Sequence, residues 1–108
     1  MENPIPLLRN AWANGNISDN DQWFKFTANS STQYIHVIFG TLNNLNVQLY
    51  DNSMNLVGIQ SNLQSTTTRI SRSLTNGNDY YIRIWPFNSS NKGTFRITFN
   101  TSTTAPSQ

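Results

Sequence analysis

Short segments in which apolar and polar residues alternate follow one another along nearly the whole chain. Such alternation is typical of β-strands, because successive side chains of a strand point to opposite faces of the sheet. Clusters rich in Asn, Asp, Ser and Gly separate the segments, and no longer segment carries apolar residues at helical spacing. This pattern favours a β-sandwich or a β-barrel. It predicts eight strands, at about residues 12–17, 22–28, 33–40, 44–50, 55–60, 66–74, 79–86 and 93–100.

One face of each predicted strand collects apolar side chains, which we expect to form the core. These residues are Ile17, Phe24, Phe26, Leu45, Val47, Leu49, Leu56, Ile70, Leu74, Tyr80, Ile82, Ile84, Phe95, Ile97 and Phe99. Segment 34–39 is apolar on both faces, which predicts a central strand that is covered on both sides. Two sets of alternate residues compete for its inward face: Ile35, Val37 and Phe39, or Tyr34, His36 and Ile38.

The opposite face of the strand "YYIRIWP" presents two large aromatic rings and an arginine, namely Tyr81, Arg83 and Trp85. Segment "NSSNKG" (88–93) predicts a hairpin between the last two strands, which would bring Arg83 and Arg96 to one surface. The outward-facing residues of other predicted strands complete a candidate ligand-binding surface. Its residues are Trp23, Lys25, Tyr50, Tyr81, Arg83, Trp85 and Arg96.

Three uses of this aromatic and basic surface stay open. The first is structural, since an arginine stacked on an aromatic ring stabilises a sheet by ~0.5–1 kcal/mol. The second is ligand binding, in which the rings contact sugars or an extended polypeptide and the Arg and amide groups bind polar atoms. The third is packing against a neighbouring domain.

Composition narrows the class of protein. Asn, Ser and Thr make up 41 of the 108 residues and only 11% are charged, yet 13 residues are aromatic. Disordered chains are typically highly charged and poor in aromatic residues, so we expect a folded domain with an uncharged polar surface. The seven Lys and Arg residues are scattered, which is unlike the clustered patches that bind nucleic acid. No apolar run approaches the length of a membrane span, and no cysteine is present.

The chain has few residues that are candidates for catalysis. The single histidine, His36, lies in an apolar strand, and no Gly-x-Ser-x-Gly motif is present. The acidic residues lie mostly in predicted turns, where Asp is common for conformational reasons. Only Asp19 and Asp21 form an acidic pair, and a hard cation such as calcium needs several oxygen ligands. We therefore expect no active site and at most a weak calcium site at Asp19 and Asp21, with Glu2 as a further candidate ligand.

Two long segments resemble the bacterial pre-peptidase C-terminal domain. They are "DQWFKFTANSSTQYIHVIFGTLNNLNVQLYDNSMNLVG" (21–58) and "SLTNGNDYYIRIWPFNSSNKGTFRITF" (73–99). The shared features are an Asp before an aromatic strand, a turn of small residues, a strand that begins with Tyr and ends with Gly, and the later Tyr-Tyr strand.

The resemblance implies an antiparallel, jelly-roll-like β-sandwich that is attached to secreted bacterial proteases and has no catalytic activity. Relatives attached to clostridial collagenases bind collagen and hold calcium at their N-terminal segment. This chain departs from those relatives at two places. "MENPIPLLRN" lacks their acidic N-terminal segment, and Asn46 stands where an acidic residue is usual.

We therefore expect a lead segment at 1–11, a single all-β sandwich of about eight strands at 12–101 and a flexible tail at 102–108. "MENPIPLLRN" lacks the features of a signal peptide, so an exported protein would carry this chain as part of a longer polypeptide. The expected function is that of a monomeric, non-catalytic accessory module of an exported bacterial protein, at the cell surface or outside the cell. Its expected partners are polysaccharide or fibrous protein and other domains of a parent polypeptide, with no nucleic acid. The alternative is a structural spacer or packing module without a ligand.

Overall fold

Nine strands make up the regular structure in the part of the chain that the computed structural model describes, which comprises residues 3–18, 21–42, 44–63, 71–86 and 92–107. The strands are β1 (Ile5–Pro6), β2 (Ala13–Ile17), β3 (Gln22–Thr27), β4 (Thr32–Phe39), β5 (Leu45–Tyr50), β6 (Leu56–Leu63), β7 (Ser71–Ser73), β8 (Asp79–Trp85) and β9 (Gly93–Asn100). The described residues include no helix that is long and apolar enough to cross a membrane.

Two sheets pack face to face. The five-stranded sheet has the order β1-β3-β8-β5-β6, and the four-stranded sheet has the order β2-β9-β4-β7. Aromatic rings contact one another across the core. The ring centres of Phe26 and Phe99 are 4.6 Å apart, and those of Phe24 and Phe95 are 5.9 Å apart in an edge-to-face arrangement. The predicted all-β sandwich is confirmed.

The first strand was not predicted. Ile5 and Pro6 pair in parallel with Phe24 and Lys25, and the next residue, Leu7, is buried in the core. The sequence analysis assigned residues 1–11 to a lead segment, and Pro4 and Pro6 interrupt the alternation there. In the sheet, β1 lies at an edge, where a proline without an N–H is tolerated.

The pairing of the last two strands corrects the sequence analysis. β8 pairs with β3 and β5, whereas β9 pairs with β2 and β4 in the other sheet. The predicted hairpin through 88–93 is therefore wrong, and Arg96 lies on the sheet opposite Arg83. Consecutive strands pair in only roughly two-thirds of cases. Here β8 and β9 lie in opposite sheets, and the apolar faces of both strands point into the same core.

The predicted core is confirmed with one exception and one untested residue. Leu56 is 50% exposed, because a register shift between β5 and β6 pairs it with Tyr50 on the outer face. Ile70 lies outside the described residues. On β4, Ile35 and Val37 point into the core, which settles the two alternatives.

The C-terminal segment covers part of the four-stranded sheet. His36 and Thr98 face each other on the outer side of that sheet, and both are fully buried. His36 Nε2 lies 2.8 Å from Asn100 Oδ1 and 3.2 Å from the Ser102 carbonyl oxygen. Trp12 Nε1 donates to the carbonyl of Ser107 (3.1 Å). Residues 102–107, predicted as a flexible tail, thus contact the sandwich, and β4 is covered on both sides as predicted.

Candidate functional site

The outer side of the five-stranded sheet carries most of the predicted surface residues. Inward residues such as Ile82 and Ile84 on β8 alternate with the outward Tyr81, Arg83 and Trp85. β3 and β5 supply further outward side chains in the same way. We call this surface the aromatic face, and its residues are Trp23, Lys25, Gln48, Tyr50, Tyr81, Arg83 and Trp85, all of them half-buried.

Strand register arranges these side chains in two neighbouring rows. Trp23, Arg83 and Gln48 lie side by side on β3, β8 and β5. Lys25, Tyr81 and Tyr50 form the next row on the same three strands. Six of the seven predicted residues therefore share one continuous surface.

Arg83 is the centre of the aromatic face. Its Nε donates to Asp21 Oδ2 at 2.5 Å, and its Nη1 donates to Gln48 Oε1 at 3.1 Å. Its guanidinium carbon lies 4.4 Å from the centre of the Trp85 ring, which is the geometry of a cation–π interaction. The side chains of Arg83 and Asp21 are each 32% exposed, so solvent screens this ion pair.

Two rings approach each other above β8. The Trp23 and Tyr50 ring centres are 5.4 Å apart at an interplanar angle of 38°. The Tyr50 hydroxyl donates to Gln48 Oε1 at 2.6 Å, so this single oxygen accepts from both Tyr50 and Arg83. Contacts among these side chains therefore link the three rings and the Arg83 guanidinium into one connected group.

Arg96 lies apart from the other predicted residues. It stands on the outer side of the four-stranded sheet, with its guanidinium carbon 6.0 Å from the centre of the Trp12 ring. A ligand that spans the aromatic face would not contact it, because the whole sandwich lies between them.

Asp21, one of the two predicted calcium ligands, pairs with Arg83, and the calcium site stays a prediction. An arginine side chain already neutralises its carboxylate and would repel a cation there. Asp19 and Glu2 lie outside the described residues. Among the described residues, no group of three or more His, Asp or Glu side chains could hold a metal ion.

The turn after Tyr50 borders the aromatic face. The Asn55 backbone N–H donates to Asp51 Oδ1 at 2.9 Å and lowers the pKa of Asp51 from its ordinary value of 3.8. The Ser53 N–H donates to the same oxygen at 2.9 Å. This carboxylate thereby fixes the turn and the end of β5.

Two features of this surface escaped the sequence analysis. Gln48 was recognised as outward but not as the acceptor that joins Arg83 to Tyr50. On the edge strand β6, Leu56 and Ile59 are about half exposed beside Tyr50 and Gln48. Alternation along β6 would have revealed Ile59, whereas the register shift concealed Leu56.

Comparison with known proteins gives structural matches only. The sequence matches no protein-family model and no curated protein. Among solved structures, the chain is similar to the pre-peptidase C-terminal domain of a collagenase from Bacillus anthracis, with a TM-score of 0.72 and 15% identity. The match covers 93% of this chain and 97% of that domain. The chain has the fold of a pre-peptidase C-terminal domain. The resemblance read from the sequence is thus confirmed as a likeness of fold.

A second solved structure shares this fold at lower similarity. It is PliG from Aeromonas hydrophila, a periplasmic inhibitor of g-type lysozyme, with a TM-score of 0.60 and 12% identity. The match covers 90% of this chain and 96% of that protein. The fold of this chain is therefore similar to that of a collagenase domain and to that of a lysozyme inhibitor.

Proposed function

We propose that this chain is a non-catalytic accessory module of an exported bacterial protein, and that its aromatic face binds polysaccharide or a fibrous extracellular protein. The observation that carries the proposal is that Trp23, Tyr50, Trp85 and Arg83 contact one another on one continuous surface. The likeness to a collagenase domain and to a periplasmic inhibitor supports an exported binding or accessory module.

The chemistry of the face suits both kinds of ligand. Indole and phenol rings offer flat apolar area at low conformational cost, and interface anchors are enriched in Trp, Tyr and Arg. Gln48 and Lys25 add hydrogen-bonding groups between the rings. The neighbouring Leu56 and Ile59 extend the apolar area toward the sheet edge.

A structural role is the second candidate. It is favoured by the engagement of Arg83 with Asp21, Gln48 and Trp85, because these contacts stabilise the sheet without a ligand. In that case the chain serves as a spacer or packs against another domain of a parent polypeptide.

Retention on insoluble matrices separates the two candidates. The chain is incubated with cellulose, chitin or fibrous collagen, and the bound fraction is measured for the wild type, Trp23→Ala and Trp85→Ala. If the aromatic face binds a ligand, the wild type is retained on one matrix and each variant loses retention. Anchor residues of this kind contribute about 2 kcal/mol or more to binding.

Tyr34→Ala is the matched control, because Tyr34 is a half-buried aromatic residue on the outer side of the other sheet. It should bind like the wild type. Thermal melts of all variants accompany the assay. Absence of retention on every matrix, together with large destabilisation by Trp23→Ala and Trp85→Ala, would support the structural role instead.

A further inference from the structure

Strand register sets the outward side chains of the five-stranded sheet in two rows that continue past the aromatic face to the edge strand β6. Both rows cross β3, β8, β5 and β6 in that order. The first row consists of Lys25, Tyr81, Tyr50 and Leu56. The second row consists of Trp23, Arg83, Gln48 and Ile59. Neighbouring strands lie about 4.8 Å apart, so each row is roughly 14 Å long, at right angles to the strands.

The end of both rows on β6 is an aliphatic surface. Leu56 and Ile59 are 50% and 49% exposed, whereas the side chains of the aromatic face are half-buried. Contiguous apolar area on a protein surface marks a place where other molecules bind. Branched aliphatic side chains lack the flat area on which a sugar ring stacks, but they pack well against the apolar side chains that form the centre of protein interfaces.

The polar groups at the centre of the rows bond to one another. Arg83 donates to Asp21 Oδ2 and to Gln48 Oε1, and the Tyr50 hydroxyl donates to the same Gln48 oxygen. A sugar carries hydroxyls around its ring, and each hydroxyl that loses water without gaining a partner weakens binding. These engaged groups therefore favour a ligand that contacts the face through apolar side chains.

Lys25 is a cation at the other end of the first row. In the described part of the chain, no acidic side chain forms an ion pair with it. Asp79 on the adjacent strand instead accepts a hydrogen bond from the Thr27 hydroxyl at 2.6 Å. Arg83, a second cation of the face, already pairs with Asp21. An acidic side chain of a ligand would therefore find a complementary charge at Lys25.

We propose that the aromatic face binds an extended polypeptide that lies across the strands, with an apolar side chain on Leu56 and Ile59 and an acidic side chain at Lys25. This inference rests on the binding function proposed above and specifies the class of ligand. An extended chain advances about 3.3 Å per residue, so the roughly 14 Å row corresponds to about four residues. Side chains four residues apart point to the same side of an extended chain. The side chain midway between them would contact the rings of Tyr81 and Tyr50.

The test is a selection of random linear peptides, displayed on phage, on the immobilised chain. Peptides that the wild type enriches should share an acidic residue and an aliphatic or aromatic residue about four positions apart. The most enriched peptide is then synthesised with a fluorescent label, and its affinity for the wild type and for variants is measured by fluorescence anisotropy.

Two kinds of variant test the two ends of the row. Lys25→Gln should weaken binding of the peptide about threefold, and added salt should reduce this difference, because a partly exposed ion pair is weak and screened. Leu56→Ser and Ile59→Ser should each weaken it about tenfold through lost apolar contact. Lys92→Gln and Ile38→Ser are the matched controls and should leave the affinity unchanged, because Lys92 adjoins β9 and Ile38 lies on β4, both in the other sheet.

The outcomes separate this inference from the function on which it rests. Enriched peptides without the acidic and apolar pair, or equal effects of the variants and their controls, would overturn the inference. Enrichment of no peptide, together with retention of the chain on cellulose or chitin, would overturn it and leave the proposed binding function in place. Absence of both peptide enrichment and matrix retention would overturn the inference and the binding function together.

Discussion

The outer faces of the two sheets differ in what lies upon them. On the five-stranded sheet, the side chains of the aromatic face are half-buried and contact one another through Arg83 and Gln48. On the four-stranded sheet, residues 102–107 lie against the outer side, where His36 and Thr98 are fully buried. Contacts within its own strands therefore order one outer face, and the segment that follows β9 contributes to the order of the other.

This difference shows which surface properties follow from local alternation. Alternation determines which side chains of a strand point outward, and it does so equally well on both sheets. It does not determine what covers the outward side chains. On the four-stranded sheet, for example, alternation places His36 on the outer side but does not show that the C-terminal segment lies against it.

The largest expected effects come from the core that both faces share. Ile82→Ala and Leu49→Ala should each lower the free energy of unfolding by about 2–4 kcal/mol, since both residues are buried and leave a cavity. Gln48→Ala, on the outer side of the same strand as Leu49, should cost about 1 kcal/mol through its lost hydrogen bonds. Urea unfolding measures all three. Equal destabilisation by Gln48→Ala and Leu49→Ala would contradict the register.

The next largest effect on stability should come from the contacts of residues 102–107 with the outer side of the four-stranded sheet. Asn100→Ala removes the Oδ1 atom that lies 2.8 Å from His36 Nε2. It also removes the Nδ2 group that donates to the Thr104 carbonyl, and Asn100 is buried. We expect a loss of about 1–3 kcal/mol, because a buried polar partner is left without its bond. Limited proteolysis should also cleave residues 102–107 faster. Thr103→Ala, at an exposed position, is the control, and a similar effect there would argue against the cover.

A smaller effect is expected within the aromatic face. A double-mutant cycle of Arg83→Met and Asp21→Asn should give a coupling energy below about 1 kcal/mol, since both side chains are partly exposed. The coupling should fall as salt is added, because added salt screens charges near the surface. A coupling energy that salt leaves unchanged would show that the pair is more buried than the structure has it.

The smallest effect concerns acid, which should remove the contribution of the Asp51 carboxylate to the stability of the domain. The pKa of Asp51 is lowered in the folded state, so its contribution to stability is present above the unfolded value near 3.8 and disappears as the pH falls through the folded value. Melting temperatures measured from pH 5 to about pH 2 should decline less steeply for Asp51→Asn than for the wild type. Parallel curves for the two proteins would contradict this contribution.

Much of the fold was predictable because strand alternation is a local signal. β3, β5 and β8 lie close to the predicted segments, and their parity correctly grouped six of the seven predicted surface residues. β1 escaped because two prolines obscure a two-residue strand. The pairing of β8 and β9 depends on which sheet each strand joins, and that choice is made by packing across the core.

The details of the candidate site depend on register, which the sequence did not determine. The predicted metal ligand Asp21 contacts Arg83 across strands, so its role as an ion-pair partner appears only when β3 and β8 are aligned. Gln48 joins Arg83 to Tyr50 for the same reason. Leu56 lies on the outer face because the register of β5 and β6 shifts between Leu49 and Tyr50.

The positions of the three tryptophans make their fluorescence a probe of both outer surfaces. Trp23 and Trp85 belong to the aromatic face and Trp12 stands beside Arg96 on the other sheet, while none of the three lies in the core. Indole emission would therefore respond to molecules that arrive at either surface, and single Trp→Phe changes would assign the signal to one side. Trp23 also lies 5.4 Å from Tyr50, close enough to collect excitation energy from that phenol ring. Light absorbed by Tyr50 and emitted by Trp23 would thus report whether the two rings stay together when a ligand binds.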